Sequence, residues 1–233
     1  MNVKVHILRV FVNQDRKFGN PVGIVVDEKG ELSLPERQKI TTQSGFSECV
    51  FVNDLNKASI SIFNPQSEID FSGHALIGVA YFLNHILNKN IKHINSRVGK
   101  IKTWQEGELT WISALLKNTP PWNFTQLKTA DEVERLSAEE MKNNKHVFVW
   151  SWLNEEKGVV RARTFASDWG IPEDEANGSG SMQLAVSLGR KLEIRHGKGS
   201  VIYTGLVKKD LVDLGGRVKD VGVQPYSTSE VKS

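Results

Sequence analysis

Four side chains stand where chemistry could be done. Glu48 lies in Ser47-Glu48-Cys49-Val50-Phe51-Val52, just ahead of an apolar run. A carboxyl group there is partly withdrawn from water, which disfavours its charged form and moves its pKa up. Poised nearer neutrality, it can both take and return a proton. The plain alternative is a strand-edge glutamate pointing to water, since glutamates are mostly exposed. His74 follows Gly73 and opens the apolar stretch Ala75-Leu76-Ile77. It can donate to a substrate or orient a carboxylate, or it can be a capping residue. Asp174 sits in Pro172-Glu173-Asp174-Glu175, before the small-residue loop Asn177-Gly178-Ser179-Gly180; its alternative is a solvated acidic turn. Cys49 is the only cysteine. If Glu48 faces a cleft, strand alternation turns Cys49 the other way. It then reads as buried and inert, because a nucleophilic thiol needs a nearby base or positive end to ionise.

The surrounding pattern predicts the elements that must hold these groups. Val3 to Val12 alternates as a strand. Phe18-Gly19-Asn20-Pro21 is turn chemistry, and Val22 to Val26 reads as a buried strand. Ser33-Leu34-Pro35-Glu36 marks a helix start that runs to about Gln43, and Gly45 frees the chain. Cys49 to Val52 and Ala58 to Phe63 are strands, and Leu76 to Leu87 is a helix apolar on nearly all sides. Lys100 to Ser113, with Gly107, is a hairpin. Asn118-Thr119-Pro120-Pro121 is the candidate linker. Asp131 to Asn143 reads as one exposed helix anchored by Leu136 and Met141. Val147 to Leu153 and Gly158 to Phe165 are strands, and Met182 to Leu188 is a short buried helix. Gly199 to Tyr226 reads as strands with a turn at Gly215-Gly216.

Two halves carry the same order. Val50-Phe51-Val52, a strand ending at Phe63, an acidic loop with Glu68 and Asp70, Ser72-Gly73-His74 and a helix make the first. Val147-Phe148-Val149, a strand ending at Phe165, Glu173 and Asp174, Asn177 to Gly180 and a helix make the second. This predicts a duplicated β-rich unit, a pseudo-twofold pair of lobes divided into residues 1–117 and 118–233. Helix starts leave backbone N–H groups free and carry partial positive charge. Two such starts facing one cleft would take an anionic group, most simply a carboxylate. Gly73, Gly178 and Gly180 would let backbone approach it closely.

Composition narrows the classes. The chain has 233 residues, 39% hydrophobic and 24% charged, with a net charge of +3. That is ordinary for a globular protein and excludes a disordered one. The charge is too small to argue for nucleic acid. One cysteine excludes an internal disulfide framework and a multi-cysteine zinc site, and no metal-ligand spacing is present, so no metal is expected. Lys198, in Gly197-Lys198-Gly199-Ser200, lacks the P-loop spacing. The six tryptophans read as core and interface residues. The opening residues alternate and lack an apolar h-region, so they read as strand and not as a signal peptide. No apolar run is long enough for a membrane span. A cytoplasmic location follows by default.

Phe18-Gly19-Asn20-Pro21, Phe46 to Val52, Ile62-Phe63-Asn64-Pro65, Phe71-Ser72-Gly73-His74-Ala75 and Gly170 through Ser179 occur in the order seen in the phenazine biosynthesis PhzF-like family. The resemblance spans Val10 to about Ser200. It implies an α+β fold of the diaminopimelate epimerase type: two similar lobes, each a barrel-like, mostly antiparallel sheet around a central helix. It also implies an isomerase in which Glu48 is the general acid/base of a proton transfer between carbons, assisted by His74 and Asp174. Ser72, Gly73, Gly178, Ser179 and Gly180 would bind the substrate, a small carboxylate-bearing metabolite. A proton moves and not a hydride, so no cofactor is expected. A homodimer is the assembly to test. Racemases of this fold use paired cysteines at the loops before the two helices; Ser72 and Asn177 stand at those places here, which disfavours a two-thiol racemase. The family pattern is departed from at Gly45 and across Glu175-Ala176-Asn177. Two alternatives stay open: a catalytically silent small-acid-binding or interaction protein of the same fold, and a racemase using Cys49.

Overall fold

The computed structural model describes residues 2–208 and 210–227. The chain forms two compact units. One comprises Met1–Val10, Pro21–Ile112 and Val218–Ser233; the other comprises Phe11–Asn20 and Ser113–Arg217.

In the first unit, strand β1 (Asn2–Val12) buries alternate residues Val3, Val5 and Ile7, as its sequence alternation requires. Strand β2 (Asn20–Val26) runs parallel to β3 (Cys49–Asp54), with Gly23 opposite Cys49. Helix α1 (Leu34–Ser44) joins them. Its start is fixed by Ser33, whose N–H and hydroxyl both donate to the Glu36 carboxylate, at 2.9 and 2.7 Å. It ends at Gly45, whose φ of 68° suits glycine. Strand β3 pairs antiparallel with β4 (Ser59–Phe63), and β4 pairs antiparallel with β5 (Glu68–Ile69). Helix α2 (Gly73–Ile86) follows. Strand β6 (His93–Ser96) returns parallel to β4 and is followed antiparallel by β7 (Gly99–Glu106), then β8 (Leu109–Leu115). Helix α2 is buried on nearly all sides. A Cβ on Gly78 would stand 2.8 Å from Val22 and 3.2 Å from Val10, so the helix lies directly on β1 and β2.

The second unit repeats this order. Strand β9 (Asn123–Gln126) is parallel to β10 (Val147–Asn154), as β2 is to β3. Between them stand the short helices α3 (Ala130–Arg135) and α4 (Ala138–Met141). Strand β10 pairs antiparallel with β11 (Val159–Ala166), which pairs with β12 (Ile171–Asp174). Helix α5 (Gly178–Ser187) follows, then β13 (Leu192–His196) parallel to β11, then β14 (Ser200–Lys208) and β15 (Leu211–Ser227). Even the irregularities recur: the ladder slips between Val52 and Asp54 in one unit and between Trp152 and Asn154 in the other. The fold is α+β and of the epimerase type, as the repeat and the resemblance lead one to expect. Among the described residues no helix is long and apolar enough to cross a membrane.

Four expectations change. A single break at 117/118 gives way to interleaved units, because β1, β8 and β15 each run through a boundary. An unbroken strand leaves no linker signal in sequence. The single helix over Asp131 to Asn143 is two helices, because Leu136 is extended at φ −60° and ψ 142° and Ser137 starts afresh. Each has its own capping box, Thr129 with Glu132 and Ser137 with Glu140. Gly215 and Gly216 lie inside β15 and not in a turn. The Phe11 ring occupies the space a Cβ on Gly216 would need, so close packing explains that glycine. Asn20 and Pro21 begin β2, and the positive φ values belong to Phe18 and Gly19, at 63° and 84°.

Candidate active site

In the first unit, Gly45 turns the chain out of α1, and residues 46–48 lead into β3. Cys49 is fully buried among Val5, Phe51 and Phe63, with its sulfur 3.5 Å from the Ser44 hydroxyl. Its neighbour Glu48 keeps 16% of its side chain exposed, and His74 keeps 7%. Glu48 Oε2 and His74 Nε2 are 3.0 Å apart. The other imidazole nitrogen, Nδ1, lies 3.3 Å from the Ser72 hydroxyl. Ser72 is the N-cap of α2, yet its side chain makes no capping bond to the helix. The start of α2 therefore holds an acid–base pair behind an N-cap whose side chain faces His74.

The charge state of Glu48 is the outcome of opposing effects. Burial pushes its pKa up, but the neighbouring His74 above all outweighs burial and leaves it below the ordinary value. The sequence reading had only the burial and expected a raised value. The group is a carboxylate held ready beside His74, a base in waiting. Burial pushes the Cys49 thiol up, away from the thiolate that a racemase would need.

In the second unit, Asp174 ends β12. Its Oδ1 accepts from Asn20 Nδ2 at 2.9 Å and from the Ala176 amide at 3.2 Å. Asn20 is buried and also donates to the Ala176 carbonyl at 3.3 Å. The next residue, Glu175, accepts from Ser200 Oγ at 2.7 Å and from the Lys198 amide at 3.0 Å. Its carbonyl faces Nδ1 of His196 at 3.0 Å, and Nε2 faces Thr164 Oγ1 at 2.8 Å. Burial drives the His196 pKa down to about 3, so a neutral imidazole braces this loop.

Asn177 is the N-cap of α5, and its Oδ1 accepts from the Gly180 amide at 2.7 Å and from Ser179 Oγ at 3.1 Å. Gly178 and Gly180, expected to admit a ligand, are explained by packing. A Cβ on Gly180 would lie 2.5 Å from the Phe148 ring, and one on Gly178 would lie 2.9 Å from Leu214. The Gly180 amide is moreover occupied by the cap. Ser72 and Asn177, the places where paired thiols were sought, are the N-caps of α2 and α5. The structure thus groups Glu48, His74, Ser72 and Gly73 in one unit, and Asp174, Gly178, Ser179 and Gly180 in the other. Sequence reasoning missed Asn20 as the partner of Asp174, although its motif was in view as a turn. It missed Trp122 as the donor to Ser179, 57 residues away, for which nothing local gives a signal. Among the described residues no group of three or more His, Cys, Asp or Glu is placed to hold a metal ion.

Known proteins resemble this chain in sequence and in fold. Residues 8–146 match the model of the phenazine biosynthesis-like protein family. The trans-2,3-dihydro-3-hydroxyanthranilate isomerase of Pseudomonas chlororaphis is 26% identical, over 81% of this chain and 81% of its own. The crystal structure of a PhzF-family phenazine biosynthesis protein from Enterococcus faecalis aligns with a TM-score of 0.79 at 21% identity, covering 97% of this chain and 100% of that one. A hydroxyproline epimerase from Agrobacterium vitis, at 12% identity, shares the fold with a TM-score of 0.63, over 96% of this chain and 92% of its own. Fold and relatives together define the class, an isomerase built on the epimerase-type repeat. The chain belongs to the phenazine biosynthesis-like protein family.

Proposed function

We propose that this isomerase moves a proton between two carbons of a small, ring-shaped carboxylic acid, with Glu48 as the general acid/base. The observation that carries the reading is the Glu48–His74 pair, 3.0 Å apart and largely withdrawn from water at the start of α2. The named activity of the Pseudomonas chlororaphis relative, an isomerase of a dihydro-hydroxyanthranilate, supports the substrate class.

The chemistry follows from the charges. The Glu48 carboxylate takes a proton from a carbon next to an electron-withdrawing group, and His74 holds the carboxyl group in place as its charge changes. Negative charge developing on the substrate is met by the amides of Gly73 and its neighbours at the positive end of α2. Glu48 then returns the proton to a second carbon, so that one bond to hydrogen breaks and one forms with no net oxidation. No hydride moves, and the step calls for no nicotinamide, flavin or metal. For the second unit, taken by itself, Asp174 and Ser179 are proposed to bind polar groups of a small molecule. Gly178 and Gly180 enter as packing residues of α5.

The test is a screen of small cyclic carboxylic acids for deuterium uptake at carbon in heavy water, followed by product analysis. Glu48→Gln keeps the shape and much of the hydrogen bonding but cannot cycle a proton. It should lose about 10²–10⁴ in exchange rate, the usual worth of a positioned acid/base, while still binding the acid. Normal exchange by this variant on an acid that the parent protein turns over would remove Glu48 from the mechanism.

A further inference from the structure

The net charge of +3 is unevenly placed. From Phe71 to Gln105 the chain carries Lys89, Lys92, Arg97, Lys100 and Lys102 and no aspartate or glutamate. More than the whole positive surplus therefore sits in this one stretch. Folding gathers most of it on one face of the first unit. In β7, Ile101 and Thr103 are buried, so Lys100, Lys102 and Trp104 share the outer face. On the neighbouring strand β6, Asn95 stands opposite Lys100 and His93 opposite Lys102, with Ile94 turned inward between them. Lys89 and Lys92 are exposed on the connection from α2 to β6.

Arg97 is paired with Asp70 at 3.1 Å, and Lys57 with Asp54 at 3.3 Å. Among the described residues, none of the four lysines has an acidic partner. Strand β4, the other neighbour of β6, sets Ser59 beside Asn95 and adds no charge. The next acids along the chain, Glu106 and Glu108, stand at the tip of the β7–β8 hairpin, past Trp104. The row of lysines ends in rings. Lys102 Nζ lies 5.0 Å over the Trp104 ring, and Trp111 of β8 lies parallel to that ring at 5.9 Å and 4°. Both tryptophans are half-buried and reach the surface.

We propose that this face binds single-stranded nucleic acid, with the lysines on phosphates and the tryptophan pair receiving a base. Unpaired cations complement a phosphate chain, and aromatic rings beside them supply the stacking that single-strand binders use. Cations and rings follow one another along β7, with Lys100 and Lys102 about 7 Å apart. Such a row fits a linear chain better than a flat lipid surface, and an acidic peptide would leave the rings without a partner. The whole-chain charge gives no hint of it, because the acids of the other segments cancel these lysines in the sum. The proposal draws on neither Glu48 nor His74.

The test is fluorescence anisotropy of a labelled oligothymidylate of about 16 nucleotides, a full site for surfaces of this kind, with the whole protein. Affinity should fall with salt, with a logarithmic slope of about −3 for four phosphate contacts. Lys100→Ala with Lys102→Ala should weaken binding and make that slope shallower by about 1.4. Lys157→Ala with Lys191→Ala, exposed in the other unit, removes the same charge and should leave affinity within about twofold, since distant surface charges are screened. Trp104→Leu should weaken the oligonucleotide at least about fivefold and leave inorganic polyphosphate, which has no bases, unchanged. Trp111→Leu repeats this comparison if Trp104→Leu does not fold. Equal losses from the two lysine pairs would mean attraction by net charge alone and would overturn the proposal. So would a tryptophan variant that binds the oligonucleotide as well as the parent, or that loses polyphosphate equally. Absence of oligonucleotide binding at low salt would overturn it too, and capture of phosphatidylserine vesicles in its place would assign the face to a lipid surface.

Discussion

Helices α2 and α5 hold the same place in the two repeats, and they begin in opposite ways. At α5 the N-cap does the ordinary work of a cap: Asn177 takes the Gly180 amide and fixes the first turn. At α2 the N-cap Ser72 turns its hydroxyl toward His74 and makes no capping bond. One start gains stability from its first residue; the other gives that up and holds an ionisable pair. The difference also runs through the glycines. Those at the start of α5 are required by Phe148 and Leu214, whereas the start of α2 carries Glu48 and His74 at its mouth. The repeat supplies two equivalent helix starts, of which one holds an ionisable pair and the other an ordinary cap.

Several measurements would break or sharpen this contrast. The largest effect after the Glu48 substitution belongs to His74→Asn. The parent protein should keep its activity to a pH below the ordinary glutamate range, because His74 holds the Glu48 pKa down. Without His74, burial dominates and the acid limb of kcat/KM should move up, with about a tenfold loss at low pH per unit moved. An acid limb unchanged in the variant would show that His74 does not set the base. The same linkage acts on folding: the folded pKa of Glu48 lies below its unfolded one, so its contribution is full above the unfolded value and is lost as pH falls through the folded value.

Next comes Gly180→Ala. The added methyl group meets the Phe148 ring, and overpacking of this kind costs about 1–3 kcal/mol, readable in urea melts. Smaller still is the exchange of caps. Asn177→Ala should cost about 1 kcal/mol of stability, while Ser72→Ala, which removes no capping bond, should stay within about 0.5 kcal/mol and show its effect on the acid limb. Equal stability losses at the two caps would erase the contrast. Smallest is Cys49→Ala, for which activity should stay within a few-fold, since the thiol is buried and held protonated. A collapse of activity with the fold intact would restore the thiol to the mechanism.

The elements were legible where local chemistry is strong. Ser33, Pro35, Glu36 and Gly45 bracket α1 within a residue of where it lies. Alternation gave β1, and the repeated order gave the topology of both units. Helix starts rich in small polar residues were less legible: α2 begins at Gly73 and α5 at Gly178, several residues before the apolar run shows itself. The break at Leu136 was written as Ser137-Ala138-Glu139-Glu140, a capping signal hidden inside an apparently continuous helical pattern. What sequence could not supply is the balance of forces at Glu48. Apolar neighbours in sequence announce burial, but the partner that overrules burial, His74, comes from 26 positions on and is brought near by folding. The pairing of Trp122 with Ser179 was illegible for the same reason.

The interleaving of the units has a consequence for how the protein is made. A ribosome releases the first hundred residues with Glu48, His74 and α2 already present. The unit that contains them is still short of the stretch beginning at Val218. Nascent chains must therefore wait, with an apolar helix and unpaired strand edges, until almost all of β15 has emerged. Folding of this kind depends on contacts far apart in sequence and is correspondingly slow. The repeat is modular in pattern and not in synthesis: a chain that stops before Val218 lacks part of the unit that holds Glu48 and His74.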